Sequence, residues 1–163
     1  AMRMADAELH IYGDGNFMPQ AEKLIRENNL QNKVLLKGKL LPEALEAATA
    51  GACIGINLVE PVGLNQYHSL ANKFFDYIQA GIPQVTMNFP EYAAINTHFD
   101  IALLIGELSE ATVARAINTL LEDEALRRRL HNNCIEAAKV LNWEEEEKRL
   151  LAFYAATAKK QTS

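Results

Sequence analysis

Between Tyr67 and Pro83 the chain reads YHSLANKFFDYIQAGIP, and this stretch carries the residue types best suited to chemistry. Asn72, Lys73 and Asp76 fall within one turn of a short helix, so the three can border one cleft. A helix N-terminus with a lysine beside it stabilises anionic charge without a metal, and a carboxylate one turn further accepts hydrogen bonds from hydroxyl groups. The same spacing also reads as an exposed i,i+3 ion pair between Lys73 and Asp76, worth about a few tenths of a kcal/mol. His68, just ahead of the helix, either hydrogen-bonds a hydroxyl or a phosphate or is an ordinary loop histidine.

The elements that must hold these residues alternate along the chain. Short β-rich runs at Glu8–Tyr12, Val34–Leu36, Cys53–Leu58, Gln84–Met87 and Ala102–Ile105 predict about five strands. Between them, Phe17, Ala21, Leu24 and Ile25 have helical spacing, and Pro42 opens a second helix to about Ala50. Ser69 is the expected cap of the helix running to Ala80, with Gly81 as its stop. A short helix is expected after Pro90, and Ser109 starts a final helical group over 110–122, 123–140 and 143–160. Apolar strands separated by helices imply an α/β fold, a mostly parallel sheet covered on both faces.

Bulk properties narrow the function classes. A single domain of 163 residues can bury a sizeable core. The formal net charge of −5 offers no basic field for nucleic acid or an anionic membrane surface. No apolar run is long enough to span a bilayer, and the first residues lack a signal-peptide pattern. Cys53 and Cys134 have no metal-like spacing and read as reduced buried thiols of a cytoplasmic protein. The run Glu144–Glu147 followed by Lys148 and Arg149 reads as a solvated helix face that suits the helix dipole.

The stretch at Asn72–Pro83 resembles the Asn-Lys-x-Phe-Glu-Tyr-x-x-Ala-Gly-x-Pro signature of group 1 type glycosyltransferases with the GT-B fold. Further similarities follow in the family's order: Leu9–Gly15 with its Gly-x-Gly ending, Val34–Gly38, Glu60-Pro-Val-Gly63, Phe89-Pro-Glu91, and Asn142-Trp-Glu144 through Tyr154. The order of the pieces carries the resemblance, because a lone Gly-x-Gly is weak. It implies a Rossmann-like three-layer α/β/α fold, the nucleotide-sugar donor-binding domain of a retaining enzyme. The expected ligand is a nucleoside diphosphate sugar of UDP or GDP type, with no cofactor. No Asp-x-Asp pattern is present, which fits a metal-independent mechanism.

The resemblance also assigns roles. The amides of Ala71, Asn72 and Lys73 face the diphosphate, Lys73 adds positive charge, and Asp76 binds ribose. Gly13 and Gly15 allow close backbone approach to the ligand, although a plain tight turn explains them nearly as well. Lys39 lies in the loop that approaches the base and Glu60 could reach the donor sugar; each also reads as a solvated side chain. Trp143 is expected to anchor the last helix in the core.

Four departures stand out. Asp76 is one methylene shorter than the usual Glu, Ala71 replaces a common Pro, and Gln84 replaces a common Val. His68 stands where the larger family often has a second Glu, the usual handle for the sugar. The resemblance further implies that the family's first strand–helix unit and its N-terminal acceptor-binding domain are absent from residues 1–163, leaving a domain inactive on its own. Cell-surface polysaccharide synthesis, with placement at the inner face of the membrane through the acceptor domain, is the expected context. Two alternatives remain: a nucleotide-sugar epimerase on the same fold, and a flavodoxin-like regulatory module with no nucleotide affinity.

Overall fold

A computed structural model describes residues 1–160. The order is β1 (Leu9–Tyr12), α1 (Met18–Glu27), β2 (Val34–Gly38), α2 (Pro42–Ala50), β3 (Gly55–Asn57), α3 (Leu64–Tyr67), α4 (Asn72–Gln79), β4 (Gln84–Met87), α5 (Pro90–Phe99), β5 (Ala102–Ile105), α6 (Glu110–Glu122), α7 (Glu124–Ala138) and α8 (Trp143–Lys160). All pairings are parallel, the α/β arrangement that alternating short strands and helices dictate.

The five strands form two hydrogen-bonded sets, β1–β2 and β3–β4–β5, with no ladder between them among the described residues. Both sets nevertheless contribute to one apolar cluster. Val34 of the first set and Val85, Met87, Ala102 and Ile105 of the second lie in it with Phe74, Ile78 and Tyr92. The segment ahead of β1 helps bridge the sets. Lys33 Nζ donates to the Ala5 carbonyl at 2.7 Å, and Asn118 Nδ2 of α6 donates to the Met4 carbonyl at 2.9 Å.

β4 is the central strand of its set and is buried throughout. Its polar residues are compensated only in part by side-chain bonds, since the buried Gln84 Oε1 has no hydrogen-bond partner among the described residues. Asn57 Nδ2 donates to Thr86 Oγ1 at 2.8 Å, and Thr86 Oγ1 donates to the Asn57 carbonyl at 3.1 Å. Gln84 Nε2 donates to the Phe74 carbonyl at 3.1 Å, so the residue that departs from the family's Val ties β4 to α4.

Turn chemistry stops α4 where the sequence predicts. Gly81 takes a left-handed φ of 70°, and the imidazole of His131 on α7 lies over it, with Nδ1 2.6 Å from the Gly81 carbonyl. A Cβ on Gly81 would stand 3.2 Å from that ring. Ser109 caps α6 as predicted, its hydroxyl accepting the Thr112 amide at 3.3 Å.

Four local expectations are corrected. Ser69 does not cap α4: its hydroxyl donates to the Gln66 carbonyl, closing α3, and the cap residue is Ala71. The helix after Pro90 is not short but runs for 10 residues to Phe99. Cys53 is exposed because it precedes β3 on a turn, whereas Cys134 is buried. Trp143 is 64% exposed rather than anchored in the core, because α8 turns its large apolar side chains, Leu151, Phe153 and Tyr154 among them, away from the described chain.

Candidate functional site

In a parallel set, a helix leading from one strand to the next runs antiparallel to both, so its N-terminus lies at the strands' carboxyl ends. That rule places the start of α4, between β3 and β4, on the rim where α/β proteins hold their ligands. Ala71 enters the helix in an extended conformation (φ −81°, ψ 142°) with no side-chain cap, and the first helical bond is Phe74 N to the Ala71 carbonyl at 3.0 Å. The Asn72 and Lys73 amides therefore lie in the turn whose donors have no partner within the helix.

The Ala71 amide is not available in the same way. It donates to the hydroxyl of Tyr92 on α5 at 3.0 Å, so of the three amides expected to face an anion only Asn72 and Lys73 remain open. Tyr92 is fully buried, its ring 4.9 Å from that of Phe74 and 6.5 Å from that of Phe89. It was not singled out from the sequence. The available signal was a large aromatic two residues past Pro90, followed by Ala93 and Ala94.

The charged side chains at this site are unpaired. No hydrogen bond or ion pair among the described residues involves the side chains of Lys73, Asp76, His68, Lys39 or Glu60. The i,i+3 pair between Lys73 and Asp76 is therefore not formed. Both side chains reach solvent, yet the protein around them removes enough water to shift both toward neutrality. Burial lowers the Lys73 ammonium and raises the Asp76 carboxyl, each from its ordinary range. Burial therefore opposes the charged form of each group. Burial also raises the adjacent Tyr77 phenol, which donates to the Ile56 carbonyl at 3.4 Å.

Tyr77 determines how closely α4 approaches β3. A Cβ placed on Gly55 would lie 2.5 Å from the Tyr77 ring, so only glycine fits beneath it. His68, at the end of α3, lies edge-on to Tyr67 with ring centroids 5.0 Å apart, and Tyr67 contacts Phe89 at 5.1 Å. The side chain of His68 remains exposed beside the loop to α4.

The other expected residues gather at the ends of β1 and β2. Gly13 donates its amide to the Gly38 carbonyl at 2.8 Å, bringing the loop of Gly13 and Gly15 next to the loop of Lys39. Gly13 and Gly15 have φ of 144° and 154°, a conformation that favours glycine, and a Cβ on either would meet nothing within 4 Å. No hydrogen bond among the described residues joins this group to the start of α4, and Glu60, exposed after β3, makes none to either.

Comparison with known proteins gives this architecture its class. The fold matches that of sucrose-phosphate synthase from Thermosynechococcus elongatus with a TM-score of 0.78 at 20% identity, covering 94% of this chain and 39% of that one. It also matches HepE of Anabaena, solved in complex with UDP, with a TM-score of 0.77 at 14% identity, covering 92% of this chain and 41% of that one. Both are larger proteins with a domain of this GT-B, Rossmann-like kind. In sequence, the chain is 27% identical over 136 residues to the poly(glycerol-phosphate) alpha-glucosyltransferase of Bacillus subtilis (strain 168), over 82% of this chain and 19% of that protein. Residues 2–140 match the family described as glycosyl transferases group 1, and the chain belongs to that family. It spans about a fifth of the length of the curated relative and about two fifths of the matched structures.

Proposed function

We propose that this chain forms the donor-binding domain of a retaining, metal-independent hexosyltransferase and holds a nucleoside diphosphate sugar of UDP or GDP type. The observation that carries the reading is the start of α4: two open amides, Asn72 and Lys73, with unpaired Lys73 and Asp76 side chains on the following turn. The diphosphate lies on the amides, where the helix dipole and the Lys73 ammonium oppose its charge. Asp76 accepts hydrogen bonds from the ribose hydroxyls. As the bond from the sugar's anomeric carbon to the diphosphate oxygen breaks, the electron pair departs with that oxygen, and the same donors stabilise the charge it gains.

The remaining residues fit this pose as contributors. The open backbone at Gly13 and Gly15 admits close approach of the ligand, Lys39 lies toward the base, and Glu60 and His68 are the candidates to contact the sugar. Asp76, shorter than glutamate, reaches the ribose through a shifted backbone or a bridging water. The hexosyl assignment draws support from the Bacillus subtilis relative, named as a glucosyltransferase, and the nucleotide assignment from HepE, solved with UDP.

Further parts of a larger protein complete the domain in this reading. The two strand sets leave unpaired edges that one additional strand would join into a single sheet, and the exposed apolar face of α8 suits cover by an acceptor-binding domain. By itself the chain binds donor without transferring sugar. Cell-surface polysaccharide synthesis at the cytoplasmic membrane face is the proposed setting; no helix among the described residues is long and apolar enough to cross a membrane. Titrating UDP and GDP while recording amide NMR shifts tests the pose: the largest shifts fall on Asn72 and Lys73. Shifts confined to other regions would refute it.

A further inference from the structure

Ala71 opens α4 without a side chain able to cap it, and the donor at this position is satisfied from 21 residues away by the Tyr92 hydroxyl. We infer that Tyr92 is the positioning residue of the anion-facing turn: its hydroxyl fixes the Ala71 amide and thereby aims the Asn72 and Lys73 amides outward. The inference rests on the donor-site reading above and adds to it the part that orients the site.

Two observations converge on this role. The first is chemical. The amide of Ala71 is half-buried, and an orphaned buried donor loses its bond to water without replacement. The Tyr92 hydroxyl prevents that and does so without occupying the two amides beyond it. The second is mechanical. Tyr92 belongs to a chain of rings in contact: His68 to Tyr67 at 5.0 Å, Tyr67 to Phe89 at 5.1 Å, Phe89 to Tyr92 at 6.5 Å, and Tyr92 to Phe74 at 4.9 Å. These rings lie on α3, on the β4–α5 connection, on α5 and on α4. The segment from His68 to Phe74 is therefore held at both ends, with Asn72 and Lys73 exposed within it. Phenylalanine at 92 would keep the ring contacts and lose only the hydroxyl, which separates packing from positioning.

The geometry also predicts which second substitution cancels the first. Ala71 has a φ of −81°, within reach of the proline ring, and proline carries no amide hydrogen to satisfy. In an Ala71→Pro background the Tyr92 hydroxyl has nothing to accept from residue 71, and the fixed φ supplies the orientation instead. The two sites should therefore couple in UDP binding, whereas a purely structural role for the Tyr92 hydroxyl would couple them in stability alone.

The test is a double-mutant cycle on this chain, using UDP and uridine as probes, with hydrogen exchange at Ala71 in the Tyr92→Phe protein as a readout that needs no ligand. The expected result is that Tyr92→Phe weakens UDP binding about fivefold, the scale of one net hydrogen bond, while leaving uridine binding unchanged. The same change in the Ala71→Pro background should cost less than about twofold. Exchange at Ala71, whose amide the Tyr92 hydroxyl holds, should quicken in Tyr92→Phe. Equal losses for UDP and uridine, an undiminished loss in the Ala71→Pro background, or unchanged exchange would each overturn the role. Absence of UDP binding by the wild type would instead overturn the donor-site reading, and the exchange rates would still decide whether Tyr92 orients the turn.

Discussion

Lys73 and Asp76 stand three residues apart on α4, a spacing that commonly forms an ion pair, and none joins them. Each is shifted toward its neutral form by burial. Two opposite charges that stay apart while partly desolvated are arranged for something other than each other. In the donor-site reading proposed above, that unspent charge is kept for a ligand.

That arrangement predicts an opposition between stability and binding. The folded state raises the Asp76 pKa, so the favourable contribution exists below the unfolded value and is lost as pH rises through the folded one. At neutral pH the carboxylate is therefore a net cost, and Asp76→Asn should raise the melting temperature. The folded state lowers the Lys73 pKa, so its contribution exists above the unfolded value and is lost as pH falls through the folded one. Lys73→Met should thus also stabilise at neutral pH. Both gains should stay within about 0.5 kcal/mol, since the side chains reach solvent. Thermal melts at pH 7 and below pH 4 check the sign for Asp76→Asn; its advantage should vanish at the lower pH.

The contact between Gly55 and Tyr77 predicts a larger effect. A Cβ at residue 55 would lie 2.5 Å from the ring, so Gly55→Ala forces α4 away from β3 and should cost about 1–3 kcal/mol. Adding Tyr77→Ala removes the obstruction, and the double variant should lose less than the sum of the two single variants. Urea denaturation of the four proteins measures the coupling; strict additivity would show that the ring can move aside.

Cys134 predicts an alkaline transition. Burial pushes its thiol up from 9.0 to about 12, and the Sγ faces the carbonyls of Ile82 and Ile101 at 3.7 and 3.8 Å. The unfolded thiol ionises first, so stability holds below the unfolded pKa and falls as pH rises toward the folded value. Stability should decline between pH 9 and 12, and less steeply in Cys134→Ala than in the wild type. Equal slopes for the two proteins would contradict the assignment.

The division of the strands predicts uneven protection. β4 is paired on both sides and fully buried, whereas β1 and β3 each have a single partner. Amides of Val85 and Thr86 should exchange at least about tenfold more slowly than those of His10 and Ile11. Uniform protection across the five strands would indicate that the two sets behave as one closed sheet.

What the sequence made legible follows from local physics. Every strand and most helices were readable because apolar periodicity, Pro42, Ser109 and Gly81 act within a few residues. Lys73 and Asp76 were singled out by their spacing on one turn and by the resemblance to the family signature. Tyr92 was not, because its meaning depends on a contact with Ala71 that only the tertiary fold creates. Ser69 misled because a good capping residue was nearer in sequence to α3 than to the true start of α4. Trp143 misled because aromatic character predicts burial without specifying a partner, and among the described residues nothing covers α8. The expectation of about five parallel strands fits the fold, but their separation into two sets is a matter of long-range pairing that no local pattern encodes.

Calorimetric titration of this chain with UDP, GDP and their sugar conjugates, with Asp76→Ala alongside, tests the central claim most directly. The account predicts binding of one nucleotide class by the wild type, weakened at least about tenfold by the substitution, the scale of hydrogen bonds to a charged group. Binding that Asp76→Ala leaves unchanged, or a folded chain with no affinity for any of these nucleotides, would contradict it.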